Sequence, residues 1–106
     1  MTDRELLELA AKAAGIELRW HPDGTAYSDS RCKGYWGVWN PIADDGDALR
    51  LVVKCNLNVC VGYGSVSACL QDDGSFHRVE EIKGDPDAAT RRAVVLAAAA
   101  IGKEMP

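Results

Sequence analysis

"LNVCVGYGSVSACLQDDGSFHRVEEI", residues 57–82, is the stretch that decides the fold. It is rich in β-branched and aromatic residues and is broken by Gly62, Gly64 and the Asp-Asp-Gly at 72–74, the last a tight-turn signal. It reads as two or three antiparallel strands.

The segments on either side read as helices. Upstream, "DDGDALRLVVKCN" has Asp44 or Asp45 as the cap and places further acid in the first turn, where the helix dipole favours it. Ala48, Leu49, Val52, Val53 and Leu57 are its expected buried stripe. Downstream, "GDPDAATRRAVVLAAAAIGKEM" opens with Asp85 at the N-cap and Pro86 at N1, then keeps high helix propensity as far as Gly102. From Ala93 to Ile101 this helix is apolar almost all round. It is therefore expected to be buried on more than one side or to cover a subunit contact, which makes a homo-oligomer through the C-terminal helix one expectation.

Further out, Thr2 and Glu5 have the spacing of a capping box, in which the hydroxyl takes the Glu5 amide and the carboxylate returns to the Thr2 amide. Leu6, Leu9, Ala10, Ala13 and Ala14 follow at helical spacing, and Gly15 is a natural stop. "IELRWH" then alternates Ile16, Leu18 and Trp20 with Glu17, Arg19 and His21, the pattern of a half-buried strand. "PDG" at 22–24 turns the chain, and the return strand lies in "TAYSDS". From Arg31 to Pro41 the chain is irregular and aromatic, a structured loop or short strand. The order helix, two strands, helix, two or three strands, helix predicts an α+β fold. We expect one domain over residues 1–106, a sandwich in which an antiparallel sheet of about four to five strands packs with three helices.

Composition agrees. A chain of 106 residues with 47% hydrophobic side chains buries one core, and two domains would each be too small to stand alone. The net charge of -4 argues against gathering phosphate backbones, and Lys and Arg form no block. Convergence of Arg19, Arg31, Lys33, Arg91 and Arg92 would be the exception. The first fifteen residues have neither the apolar region of a signal peptide nor the composition of a transit peptide, so a cytoplasmic chain is expected. The longest apolar run, residues 93–101, is far short of the ~20 residues that span a bilayer.

Three sets of residues bear on chemistry. Cys32, Cys55, Cys60 and Cys69 with His21 and His77 are the inventory for a metal or a thiol nucleophile. Their spacing is poor, since the closest pair, Cys55 and Cys60, lacks the short knuckle of zinc sites. Cys60 and Cys69 are expected to act as small buried hydrophobes. Asp44, Asp45 and Asp47 lack the alternate oxygen ligands and closing glutamate of a calcium loop. "GYGS" at 62–65 lacks the third glycine and following helix of a nucleotide site, so no cofactor is expected. That leaves the aromatic segment, Tyr35, Trp36 and Trp39, which is either a set of binding anchors or a lid on the core. Tyr35 and Trp36 are the members expected to be exposed.

"TDRELLELAAKAAGIEL", "WNPIADDGDALRLVVK" and "DPDAATRRAVVLAAAAIGKEM" together resemble the phage alpha-beta-alpha sandwich domain family of small phage and prophage proteins, and more loosely the NinX-type proteins of lambdoid phages. The resemblance implies an α/β sandwich made in a bacterial host cytoplasm. It brings no enzymatic activity, cofactor or catalytic residue. The cysteine- and glycine-rich middle segments depart from the family pattern. The expectation is therefore a non-catalytic accessory protein that contacts a host or phage protein, with Tyr35, Trp36, Trp39, Arg91 and Arg92 as candidate surface residues. The alternatives are a nucleic-acid-associated accessory protein using Arg91 and Arg92, and a small Cys/His metal protein or enzyme.

Overall fold

The computed structural model describes residues 2–106. In chain order the elements are α1 (Asp3–Ala14), β1 (Arg19–Trp20), β2 (Ala26–Ser28), β3 (Gly37–Val38), α2 (Asp45–Cys55), β4 (Leu57–Val61), β5 (Ser65–Leu70), β6 (Arg78–Glu81) and α3 (Pro86–Glu104). The class is α+β, as the pattern predicts. The sheet differs in detail, because six short strands form two separate three-stranded antiparallel sheets, β1-β2-β3 and β4-β5-β6. The sixth strand is β3, which lies inside the aromatic segment.

α1 starts as expected, with the Thr2 hydroxyl accepting from the Glu5 amide at 3.2 Å. The second half of the capping box differs, since the Glu5 carboxylate meets that same hydroxyl rather than the Thr2 amide. Gly15 closes the helix in the left-handed region at φ 69°. Its buried face is Leu6, Leu7, Ala10 and Ala11, while Leu9, Ala13 and Ala14 are only partly covered.

α3 is the centre of the molecule. It packs against β4, β5 and β6 on one side and against α1 on another, with α2 beside it. The layers therefore run from the larger sheet, through α3 and α2, to α1. Ala93, Val95, Ala97 and Ala98 are fully buried, so the alanine run is covered from within the chain. The helix continues past Gly102 to Glu104, against the expected stop. Gly102 has another role: a side chain there would run into the backbone carbonyl of Leu9, so α1 and α3 meet backbone to backbone at this glycine.

In the larger sheet, antiparallel register pairs Val59 with Ala68 and Ser67 with Val79. Side chains alternate, so Leu57, Val59, Val66 and Ala68 face the helices, and Asn58, Cys60, Ser67, Cys69 and Val79 face away from them. The smaller sheet joins the body through Trp39, which is 3% exposed and donates its amide to the Ala26 carbonyl at 2.9 Å. Trp20 adds to this junction, partly buried against the core with the Arg4 guanidinium 4.4 Å above its ring. Among the described residues, no helix is long and apolar enough to cross a membrane.

Candidate functional site

The acidic start of α2 is built as a structural junction. Asp44 caps the helix by accepting the Asp47 amide at 2.8 Å. Asp47, only 2% exposed, receives the Asn40 amide on Oδ2 at 3.0 Å and, on Oδ1, Arg50 at 2.8 Å and Arg31 at 3.1 Å. Burial alone would push this carboxyl up. The Arg50 hydrogen bond, the Asn40 amide and Arg31 outweigh it and hold the group below the ordinary carboxylate range. Asp44 and Asp47 are thus occupied in fixing the loop before α2 to its first turn.

The five residues singled out from sequence do not make one surface. Trp39 is a core residue, and Trp36 is half-buried beneath the Arg19 guanidinium, 3.9 Å from its ring centre. Tyr35 is open, at 77% exposure. Arg91 donates to the Ile42 carbonyl at 2.8 Å and to Asp45 at 2.6 Å, tying α3 to the start of α2. Arg92 lies between Glu80 at 3.6 Å and Asp3 at 3.9 Å. Both arginines are already partnered by carboxylates of the same chain.

The cysteines and histidines are dispersed. Cys55 is buried at the end of α2, where burial pushes its thiol up to about 11. Cys60 is exposed on the bare face of the larger sheet, contrary to the expectation of a buried hydrophobe, because the register turns it away from the helices. Cys69, on that same face, is half-buried, and Cys32 is exposed. The His21 ring rests 4.7 Å from that of Tyr27. Among the described residues, no three His, Cys, Asp or Glu side chains gather in a way that could hold a metal ion.

The surface that stands out lies elsewhere. α2 buries Asp47, Ala48, Leu51 and Cys55, so that of the stripe expected from its sequence Ala48 is buried and Val52 partly covered while Leu49 and Val53 face out. Leu49 and Val53 are consequently 66% and 73% exposed. Leu57, read as the last residue of that stripe, is buried but belongs to β4. Beside the exposed pair, α2, β4 and α3 enclose a groove of about 450 Å³ whose apolar lining includes Leu49, Val52, Val59, Val61, Pro86 and Val94. Val61 at the end of β4 is 58% exposed, and Tyr63 at the following turn is fully so. Asp45 and Asp87 stand at the groove where the two helices begin.

The sequence could not choose this phase. α2 carries Ala48, Leu49, Leu51, Val52, Val53 and Cys55, which cover most of its circumference at about 100° per residue. Only the inward turn of Asp47 decides which part is left outside. One signal was available, however: residues 55–71 include no charged side chain, which is unusual for a segment containing an edge strand.

Comparison of the chain with protein-family models, curated proteins and solved structures finds no match.

Proposed function

We propose that this chain is a non-catalytic accessory protein, of the phage or prophage kind that its sequence resembles, and that it acts by burying the α2–β4 surface against another protein. The observation that carries this reading is the apolar lining of the groove between α2, β4 and α3, in which Leu49 and Val61 are exposed, with the exposed Val53 one turn beyond Leu49 on α2. Isolated exposed hydrophobes are ordinary on soluble proteins, but several lining one concave site mark a contact surface. Burying it would remove those side chains from water at roughly 25 cal/mol per Å².

The test is affinity capture from cells that express the tagged chain, comparing wild type with the Leu49→Asp/Val53→Asp double variant. Both positions are solvent-facing in the isolated chain, so the variant is expected to stay folded. A stoichiometric protein partner, whether a second copy or another polypeptide, should be retained by wild type and lost by the variant. Equal retention by both would remove this surface from the function.

A further inference from the structure

We infer that the occupant of this surface is a second copy of the chain, joined by antiparallel pairing of β4 with β4 about a two-fold axis at Val59. The inference rests on the docking function proposed above and names its partner.

The phase of the β4–β5 ladder carries the argument. The Gln71 amide donates to the Asn56 carbonyl at 3.0 Å and the Gly62 amide to the Ser65 carbonyl at 2.9 Å. With the register Asn58↔Cys69 and Cys60↔Ser67 between them, the even-numbered residues of β4 direct their backbone groups to β5. The amides and carbonyls of Leu57, Val59 and Val61 therefore point out of the sheet. Among the described residues, no loop or cap hydrogen bond ends on them. β4 is also an edge, with β5 as its sheet neighbour.

The two edges of this sheet are treated differently. β6 carries Arg78, Glu80 and Glu81, the kind of charge that deters pairing. β4 carries none. Each copy has a net charge of -4, so two copies meet with least repulsion along an uncharged segment.

The segment is also complementary to itself. With the axis at Val59, Leu57 lies opposite Val61 of the second copy on the helix side, and Val59 lies opposite its own counterpart. On the other face, Asn58 lies opposite Cys60. Apolar therefore meets apolar and small polar meets small polar. The outward groups at 57, 59 and 61 fall at the hydrogen-bonded positions of the new ladder, which gives about six backbone hydrogen bonds. A two-fold axis normal to the sheet puts both α2 helices on one side, where Leu49 and Val53 of each copy lie towards the other.

Sedimentation equilibrium of the full chain over a wide concentration range tests this. Wild type is expected to dimerise. Val59→Pro removes an outward amide without breaking a β4–β5 bond, and Val61→Lys places charge on the edge; each should weaken the dimer about a hundredfold while circular dichroism stays native. Should Val59→Pro fail to fold, Val61→Lys carries the test alone. Register is read from Asn58→Cys in a Cys69→Ser background, which removes the thiol facing position 58 from β5. This variant is oxidised with diamide, which accepts the two electrons and two protons released by a thiol pair. A disulfide-linked dimer should form and should vanish when Cys60→Ser is added. A monomer at every concentration, or a dimer untouched by folded edge variants, overturns the inference, as does a dimer in which Asn58→Cys never crosslinks. If wild type is monomeric and yet loses a captured protein on Leu49→Asp/Val53→Asp, self-pairing fails and the docking function stands.

Discussion

Arg50 donates to Oδ1 of Asp47 at 2.8 Å from one turn further along α2, while the Asn40 amide holds the other oxygen of that carboxylate at 3.0 Å. These bonds allow a helix to turn a carboxylate inward, and by doing so they set its rotation. With Asp47, Leu51 and Cys55 inside, Leu49 and Val53 must lie on the far side. The acidic motif and the apolar surface are thus two consequences of one helix phase.

Asp47→Asn should weaken the fold by about 2 kcal/mol at neutral pH, the scale of hydrogen bonds to a charged group. The folded chain holds this carboxyl below its value of about 3.9 in the unfolded chain. Its contribution is therefore complete above that value and fades as pH falls through the folded one. Urea unfolding at neutral and acid pH should show the gap between wild type and variant closing in acid. A gap of unchanged size would contradict the role given to the ionised group.

Trp39→Ala and Tyr35→Ala separate lid from surface. The buried indole should cost about 3–5 kcal/mol on removal, enough to unfold a small domain, whereas the exposed phenol should cost no more than about 0.5 kcal/mol. Thermal unfolding reads both. A tolerant Trp39 would mean that the smaller sheet is not anchored through it.

Gly102→Ala sets two effects against each other. Alanine gains about 1 kcal/mol of helix propensity over glycine, but its methyl would overlap the Leu9 carbonyl, and relieving such overpacking by moving α1 costs about 1–3 kcal/mol. Net destabilisation is expected because backbone, not a flexible side chain, is in the way. A stabilised variant would show that α1 and α3 can separate freely.

Thiol labelling should distinguish the four cysteines by rate. Cys32 and Cys60 are exposed and should react first, with Cys69 slower. Cys55 is buried and its thiol is pushed up to about 11, so it should react only as the chain unfolds. Rapid labelling of Cys55 in the native protein would contradict its placement.

Much of the fold was legible because local signals were unambiguous. Thr2, Asp44 and Asp85 each cap the helix that their sequence announces, and Gly15 and the glycines of the two turns take positive φ where the pattern requires it. The alternation of Ile16, Leu18 and Trp20 against charged neighbours survives as partial burial. What failed was tertiary. Periodicity alone could not rank the faces of α2, because an inward aspartate looks like a surface residue until Arg31, Arg50 and Asn40 are seen around it. Nor could it show that Arg91 and Arg92 are already spent on Asp45, Glu80 and Asp3. Cys60 shows the same limit: it lies in an apolar run, but the register turns it to the face of the sheet away from the helices.

The docking proposal places the partner on the α2–β4 surface rather than on the aromatic loop. It is tested most directly by placing a photo-crosslinking amino acid at Leu49 in one chain and at Tyr35 in another, both exposed positions, and irradiating cells that express each. The expected result is a discrete crosslinked species from Leu49, either a second copy or another polypeptide, and none from Tyr35. A discrete species from Tyr35 with none from Leu49 would contradict the claim.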